Sequence, residues 1–178
     1  MPTEAADPRT ARIGAIVLAA GRSRRFGSAN KLLVPLRGEP LLWHTLDAVC
    51  ASRARPIIVV LGHQHQRLRE TLRRYRRARR APPIRCVFNR WHRSGMASSL
   101  QLGLAALPAD RDGALICLGD MPMLRASTLE QLRLAYRRGD DAVLPMIAGR
   151  RGNPALLGRP LFAAVRQALR GDEGARRL

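Results

Sequence analysis

The apolar residues of this chain occur in short uninterrupted runs, at 13–19, 57–61, 84–88, 114–118 and 142–144. Strands of a parallel sheet are covered by helices on both faces, so their sequences are apolar throughout rather than alternating. The first run ends in a glycine-rich loop, which is typical of a buried strand that leads into a ligand-binding turn. We therefore predict five strands of a buried, mainly parallel sheet.

Helical periodicity fills the segments between these runs. Four segments have apolar residues at helical spacing and are predicted as helices: 41–49, 67–77, 98–106 and 128–137. Pro40 and Ser127 suit the starts of the first and last of these helices, and Gly139 suits a stop. This alternation predicts an α/β fold, namely a three-layer, Rossmann-like domain with a mainly parallel central sheet. Ligands of such domains bind beyond the carboxyl ends of the strands.

The size of the chain suits one domain, because 178 residues with 46% hydrophobic content can form one compact core. We assign residues 13–178 to this domain and expect residues 1–12 to form a disordered tail. The N-terminus carries no long apolar segment, and the three cysteines lie in apolar surroundings without metal-ligand spacing. These features predict a cytoplasmic protein with reduced cysteines and no membrane partner.

The chain is strongly basic, with 32 Lys+Arg, 13 Asp+Glu and a net charge of +19. Such an excess raises nucleic acid as a partner. The one dense cluster, at 73–80, lies at the end of a predicted helix, where a run of arginines is usually a solvated face. Aromatic residues, on which bases would stack, make up only 4% of the chain. We therefore expect anionic nucleotides rather than polynucleotides as ligands.

Lys31 is the only lysine in the chain and follows a glycine-rich loop at 18–27. A lone ammonium among so many arginines reflects either chance retention or a task for a compact, mobile charge. The loop offers backbone N–H groups to phosphate oxygens, and Arg24 and Arg25 add charge suited to a triphosphate. Its spacing matches neither the Walker loop nor the dinucleotide-binding fingerprint. The segment therefore predicts a phosphate site outside the usual ATPase and dehydrogenase classes.

Six segments, taken in their order along the chain, resemble the motifs of one enzyme family. They are Leu18–Gly27 with Asn30–Leu33, Pro35–Leu42, Gly95–Leu100, Gly119–Pro122, Arg151–Pro154 and Gly171–Arg176. They resemble the motifs of NTP transferases, and in particular those of the molybdenum cofactor cytidylyltransferases, which are relatives of the molybdopterin guanylyltransferases. Six motifs in order are far more specific than any one of them.

The resemblance implies that the opening loop and its lysine bind a triphosphate, that Asp120 binds Mg²⁺, and that the second half of the chain holds the acceptor. Ala19-Ala20-Gly21 resembles the cytidylyl branch, so CTP is expected rather than GTP. The implied catalytic residues are Arg25, Lys31 and Asp120. The implied nucleotide-binding residues are Leu18, Ala19, Ala20, Gly21, Arg24, Arg25, Lys31, Gly95 and Ser98. The implied acceptor-binding residues are Arg151 and Asn153.

Elementary chemistry agrees with these roles for Asp120 and Lys31. Asp120 follows the predicted strand at 114–118, so it lies at the carboxyl edge of the sheet, where we also place Lys31. A single carboxylate with waters and phosphate oxygens can hold Mg²⁺, although an aspartate at this position also suits a turn or helix cap. Nucleotidyl transfer needs charge neutralisation and alignment and no nucleophilic side chain.

Two pairs of polar residues can be interpreted either as parts of a binding site or as structural residues. Ser98 and Ser99 open a predicted helix after Gly95, where their hydroxyls suit either contact with a base or ribose or capping of the helix. His63 and His65 form a pair that could bind a metal, but no carboxylate or cysteine lies close in sequence, which favours a surface loop.

The chain also departs from the family pattern. Relatives usually continue past the segment at 171–176 into another strand with an acidic motif, whereas this chain ends at Leu178. We therefore expect the domain to lack that segment and a second metal carboxylate, if one is needed, to come from Asp172 or Asp141.

The leading hypothesis is a Mg²⁺-dependent nucleotidyltransferase that moves CMP from CTP to the phosphate of a molybdopterin-type cofactor and releases pyrophosphate. One alternative uses GTP or another NTP on a different phosphorylated acceptor. Another is a non-catalytic nucleotide- or cofactor-binding protein that serves a molybdoenzyme client during maturation.

Overall fold

The computed structural model describes residues 11–22 and 29–168, apart from the side chains of Ile147 and Ala168. The strands in these ranges are β1 (Ile13–Ala19), β2 (Pro35–Leu36), β3 (Glu39–Pro40), β4 (Ile57–Leu61), β5 (Ile84–Phe88), β6 (Gly113–Leu118), β7 (Ala142–Val143), β8 (Met146–Ile147), β9 (Arg150–Arg151) and β10 (Ala155–Gly158). The helices are α1 (Leu41–Ala51), α2 (His65–Arg79), α3 (Met96–Ala105), α4 (Ala126–Ala135) and α5 (Pro160–Ala168). Short 3₁₀ turns span Lys31–Leu33 and His92–Ser94.

Six of these strands form the central sheet, in the order β5-β4-β1-β6-β10-β7. The first four run parallel, β10 runs antiparallel to β6, and β7 runs antiparallel to β10. Parallel neighbours need a crossover connection, which α1, α2 and α3 supply. The carboxyl ends of β1, β4, β5 and β6 therefore lie at one edge of the sheet.

Helices cover both faces of this sheet. On one face α1, α2 and α4 contribute buried residues such as Leu46, Leu68 and Leu129. On the other face α3 and α5 contribute buried residues such as Leu100 and Val165. The apolar runs of the strands are buried because both faces are covered. The predicted three-layer α/β fold is confirmed.

Most of the predicted elements are present, with small differences at their ends. β1, β4 and β5 match the predicted runs, while β6 begins one residue earlier and β7 ends one residue earlier. Pro40 precedes α1 as expected. Ser127 does not start α4, because Arg125 is the extended residue before a helix that begins at Ala126. Gly139 lies beyond the end of α4 and has a φ of 95°, so it shapes the next turn rather than ending the helix.

β10 and α5 have no counterpart among the predicted elements. β10 is a run of four buried residues, which is too short for periodicity to separate a strand from a loop. It also breaks the alternation of parallel strands and helices, because it enters the sheet antiparallel beside β6. The sheet is therefore wider than predicted by one interior strand.

Among the described residues, no helix combines the length and the apolar character that crossing a membrane requires.

Candidate active site at the carboxyl edge of the sheet

A cavity of about 390 Å³ opens at the carboxyl edge, where β1 and β6 end side by side. The N–H of Gly119 donates a hydrogen bond to the O of Leu18 at 2.9 Å, so the loops that follow the two strands begin in contact. Six of the predicted site residues line this cavity: Leu18, Ala20, Gly21, Lys31, Gly95 and Asp120. The topology thus brings together residues that are up to about a hundred positions apart in sequence.

Lys31 and Asp120 form an ion pair in this cavity, with the Nζ of Lys31 donating to the Oδ2 of Asp120. Both side chains are about two-thirds buried, so water screens their charges only in part. The pair places one ammonium and one carboxylate side by side at the edge where ligands of open α/β sheets bind. An anionic ligand would contact the ammonium, and a cation would contact the carboxylate.

Asn30 fixes the position of Lys31. Its side chain is buried, its Oδ1 accepts a hydrogen bond from the N–H of Leu32 at 3.1 Å, and its Nδ2 donates to the O of His63 at 3.3 Å. The first bond caps the 3₁₀ turn that carries Lys31, and the second joins this turn to the loop after β4. The ammonium is therefore held on a backbone that is anchored at both of these points.

Thr45 plays the matching role for Asp120. This fully buried residue of α1 donates from Oγ1 to the O of Gly119 at 3.1 Å and accepts from the N–H of Met121 at 3.0 Å. The two hydrogen bonds flank Asp120 on both sides. One hydroxyl therefore fixes the turn that presents the carboxylate.

The loop after β1 offers backbone donors to the cavity. None of the described residues accepts a hydrogen bond from the N–H of Gly21 or of Arg22. No atom of the described residues lies within 4 Å of where a Cβ of Gly21 would be, and its φ is outside the left-handed region. A ligand can therefore approach this backbone closely, as phosphate oxygens do at glycine-rich turns.

Asn89 holds in place the part of the cavity wall to which Ser99 belongs. Its buried side chain donates from Nδ2 to the hydroxyls of Ser98 and Ser99, both at 2.9 Å, and accepts from the N–H of Trp91 at 2.9 Å. Ser98 also donates towards the O of Trp91 and of Gly95, at 3.1 and 3.0 Å. Of the two serines, Ser99 lines the cavity and Ser98 does not, and Ser99 is itself largely buried.

Positive charge surrounds the mouth of the cavity. Arg22, His92 and Arg93 line it, and His63 lies close to them. Partial removal from water lowers the pKa of His63, and the charges of Arg22, His92 and Arg93 lower it further. The free site therefore has a positive potential, which favours an anionic ligand.

The remaining predicted site residues lie elsewhere. Ala19 is buried in the core beneath the loop. Arg151 lies in the β8-β9 hairpin, and Asn153 lies between that hairpin and β10. Both are at the same edge of the sheet as Asp120, beyond the ends of β7 and β6, but neither lines the cavity. Arg24 and Arg25 lie outside the described residues.

The expectation that Asp141 helps Asp120 to hold a metal is wrong. The O of Asp141 accepts a hydrogen bond from the N–H of Gly158, which is paired with Gly113 at the start of β6. Asp120 follows the end of the same strand, and six residues of strand span about 17 Å. Asp141 is therefore at the opposite edge of the sheet. Asp172 lies outside the described residues.

Within the described ranges no group of three or more His, Cys, Asp or Glu side chains could hold a metal ion. Asp120 is the one carboxylate that lines the cavity there. This donor set fits Mg²⁺ bound together with a phosphorylated ligand, because Mg²⁺ commonly takes one or two carboxylates and completes its shell with phosphate oxygens and waters. His63 and His65 have no metal partners in the described part of the chain, and the His65 ring packs tilted against Phe88, with 4.2 Å between ring centroids.

Several residues of the site were not predicted: Arg22, Asn30, Thr45, Asn89, His92, Arg93 and Met96. Asn30 and Arg22 were within reach of sequence reasoning, because they flank Lys31 and Gly21 in the opening motif. Thr45 and Asn89 carry no local signal, since their roles depend on hydrogen bonds to residues on other elements.

Known proteins share both the sequence pattern and the fold. GlmU, named as a bifunctional protein, from Kineococcus radiotolerans is 39% identical over 75% of this chain and 26% of its own length. Nicotine blue oxidoreductase from Paenarthrobacter nicotinovorans is 31% identical over 90% of this chain and 78% of its own length. The chain spans about a quarter to a third of the GlmU proteins that it matches.

Solved structures of Rv0371c from Mycobacterium tuberculosis have the same fold. One superposes with a TM-score of 0.76 and 28% identity over 92% of this chain and 79% of its own. A complex of Rv0371c with manganese superposes with a TM-score of 0.71 and 25% identity, over 90% of this chain and 78% of its own. The family model of the MobA-like NTP transferase domain matches residues 15–178. The family predicted from the sequence motifs is therefore confirmed, and the chain belongs to the MobA-like NTP transferase family.

Proposed function

We propose that this NTP transferase moves CMP from CTP to the phosphate of a molybdopterin-type cofactor. The observation that carries the proposal is the Lys31 and Asp120 pair in a cavity that is otherwise rimmed by positive charge. A triphosphate matches this rim, and a divalent cation matches the carboxylate. The choice of CTP is supported by Ala19-Ala20-Gly21, which resembles the cytidylyl branch of the family.

The chain's own residues would act mainly by charge and alignment. In the reaction an anionic oxygen of the acceptor phosphate attacks the α-phosphorus of CTP. The bond from that phosphorus to the bridging oxygen breaks, and pyrophosphate leaves. Lys31 and the N–H groups of Gly21 and Arg22 would bind the phosphate oxygens that gain charge. The acceptor is already deprotonated, so no side chain has to remove a proton.

Asp120 is the residue that would hold Mg²⁺. Bound there, Mg²⁺ would supply charge neutralisation for the phosphates. Lys31 and Asp120 contact each other in this structure, so ligand binding would exchange their mutual contact for contacts with phosphate and cation. Thr45 and Asn30 would keep the two side chains in place during this exchange, because they anchor the backbone on either side.

The acceptor would bind at the same edge, on the side of β10 and the β8-β9 hairpin. β10 is the neighbour of β6, at the usual strand spacing of about 4.8 Å, and Arg151 and Asn153 precede it. An arginine and an amide near the end of the strand that leads to Asp120 suit a phosphorylated heterocycle. This placement supports the acceptor roles that the family resemblance implies.

The test is the release of pyrophosphate by the purified protein with Mg²⁺ and CTP, GTP or ATP, each with and without molybdopterin-type cofactor. We expect turnover that needs both CTP and the acceptor. Lys31→Ala and Asp120→Ala should each lower kcat/KM by about a hundredfold or more, as loss of a charge-stabilising group in an active site does.

Lys31→Arg and Asp120→Asn are the milder variants, since the first keeps the positive charge and the second keeps the size of the side chain. Full activity in all four variants would show that the pair is not the reaction centre. Turnover with GTP alone would keep the reaction class and correct the nucleotide. Because one relative is named an oxidoreductase, consumption of a reduced nicotinamide without any NTP is measured in parallel, and a positive result there would contradict the proposal.

A further inference from the structure

Among the described residues, β5 is the outermost strand of the central sheet, and β4 is its one pairing partner there. The N–H of Asn89 donates to the O of Leu61, so in this parallel ladder the backbone groups of alternate residues face β4. Those of Cys86 and Phe88 point the other way, and no described residue hydrogen-bonds to them. Proteins usually cover or shorten such an edge, because it is a template for another strand.

A row of arginines flanks this open edge. Arg69, Arg73 and Arg76 lie on one face of α2, and together with Ile84 and Cys86 they line a groove of about 260 Å³. Arg69 and Arg76 form no ion pair or hydrogen bond with their side chains among the described residues, and Arg73 pairs only with Glu70 at 3.3 Å. The groove is thus apolar at its floor and cationic along one wall.

The arginines are close enough to act on the strand. Burial raises the pKa of Cys86, and the charges of Arg69, Arg76 and Arg73 oppose that rise. Arg69 and Arg73 are about 6 Å apart along the helix axis, and Arg73 and Arg76 about 4.5 Å. Side chains on one face of a strand repeat about every 6.6 Å. The spacing from Arg69 to Arg73 is therefore close to that of alternate residues on an added strand, and the spacing from Arg73 to Arg76 is about 2 Å shorter, a difference that long, flexible arginine side chains can span.

We propose that β5 and the arginine row of α2 form a docking site for an extended acidic segment of a partner protein. The segment adds to the sheet as a strand beside β5, and its carboxylates at every second residue face Arg69, Arg73 and Arg76. This is strand addition, in which the main chain gives affinity and alternate side chains give specificity.

Other occupants fit less well. A polynucleotide would pair with the arginines but has no peptide backbone to satisfy the open edge, and this groove offers no aromatic side chain for base stacking. A second copy of this chain would bring another net charge of +19 against the same positive wall. An acidic extended segment satisfies both the backbone groups and the charges.

The location also suits a partner that exchanges material with the active site. β5 leads directly into Asn89, which organises the cavity wall, and then into His92 and Arg93 at its mouth. A partner held along β5 would therefore be delivered beside the site where the nucleotide is proposed to bind. Docking itself does not depend on the proposed reaction and is tested by binding alone.

The experiment uses the full chain and fluorescence anisotropy of three short, labelled, capped peptides. The first alternates Glu and Thr, the second has the same composition with its Glu residues in one block, and the third is the alternating peptide with every second amide N-methylated. We expect the first peptide to bind. The other two should bind at least about tenfold more weakly.

Two double variants of α2 distinguish binding at this face of the helix from attraction by the overall positive charge. Arg69→Glu with Arg76→Glu should weaken binding of the alternating peptide by about tenfold, whereas Arg67→Glu with Arg74→Glu, on the opposite face of α2, should leave it within about twofold. Arg69→Gln with Arg76→Gln repeats the test with a milder change. Circular dichroism and a thermal melt check that each variant is folded.

The proposal is overturned if the block or N-methylated peptide binds as well as the alternating one, because binding would then follow charge alone. Equal losses in both double variants would overturn it in the same way. Tighter binding of a single-stranded oligonucleotide than of the alternating peptide would assign the groove to nucleic acid instead. Self-association that is lost in the Arg69 and Arg76 variants would assign it to a second copy of the chain.

Discussion

Gly21 is the residue at which binding can be separated from folding. A Cβ added there would meet no atom of the described part of the chain within 4 Å, and the backbone conformation does not require a glycine. Gly21→Ala should therefore leave the melting temperature unchanged while its methyl group obstructs a phosphate bound at the loop after β1. We expect CTP binding, measured by calorimetry, to weaken by about tenfold.

Gly62→Ala is the contrasting variant. Its Cβ would lie 2.5 Å from the Cβ of His92 and 2.6 Å from the O of Ala20, so it should lower the melting temperature. If Gly21→Ala binds CTP as well as the native chain does, the loop after β1 is not the phosphate site.

His63 should link nucleotide binding to pH. Removal from water and the neighbouring positive charges lower its pKa in the free protein, so its neutral form is favoured. A bound triphosphate would add negative charge, favour the imidazolium and raise that pKa. Binding therefore takes up a proton, and affinity rises as the pH falls through the pKa of His63 in the complex.

Calorimetry in two buffers with different enthalpies of ionisation measures this uptake between about pH 6 and 7. The phosphates of CTP also titrate in this range, so His63→Gln is the control: it should bind fewer protons than the native chain. Identical uptake in both would show that His63 does not sense the ligand.

For single residues, the sequence identifies the charged side chains of the site better than it identifies the polar side chains that position them. Lys31 and Asp120 are predictable because each follows a buried strand, and the ends of parallel strands share an edge. Ser98 is harder, because the sequence does not tell which of two adjacent serines lines the cavity. Asn89 donates to both, but among the described residues only Ser98 also donates towards the backbone O of Trp91 and of Gly95, and no local pattern predicts these contacts.

Among the elements, α1 has a structural link to the reaction centre through Thr45. Thr45→Val keeps the shape of the side chain but removes the hydroxyl that bonds Gly119 and Met121. Leaving these buried groups without a partner costs about 1–3 kcal/mol. We expect a loss of stability of this size in urea unfolding, together with a lower kcat, because Asp120 lies between the two residues.

Thr71→Val provides the matched control. Thr71 is also buried, but its hydroxyl donates only to the O of Arg67 within α2. It should lower the free energy of unfolding without changing kcat. A kcat that falls equally in both variants would mean that α1 has no special link to the turn.

The elements found from the sequence and those missed differ in physical character. β1, β4 and β5 are apolar runs in parallel βα order, so periodicity and topology both predict them. β10 is a short run whose strand conformation depends on partners at β6 and β7, and those contacts join residues far apart in the chain. No local sequence pattern predicts a strand whose pairing partners are so distant in the chain.

For the whole molecule, the net charge of +19 should steer nucleotides towards the cavity. The Debye length is about 30 Å at 0.01 M salt and about 8 Å at 0.15 M. Arg74 and Arg77 lie roughly 14 and 18 Å along α2 from its start near His63. Arg74→Glu with Arg77→Glu should therefore slow CTP association in stopped-flow measurements at the lower salt and have little effect at the higher.

Association that does not change with salt in the native chain would limit electrostatics to the immediate contacts of the cavity. The acidic docking segment proposed for β5 would partly neutralise this positive potential. Saturating the protein with the alternating peptide should therefore also slow CTP association at low salt.

The insertion of β10 between β6 and β7 has a consequence for how the chain is made. About forty residues separate the end of β6 from the end of β10. At the usual pace of synthesis, 5–20 residues per second, they take about 2–8 s to follow. During that interval the buried strand Gly113–Leu118 has β1 on one side and nothing on the other, because β7 reaches it only through β10. The nascent chain thus passes through a stage at which an apolar strand can pair with other nascent chains. Slower translation of the residues from β6 to β10 should therefore increase aggregation of the protein.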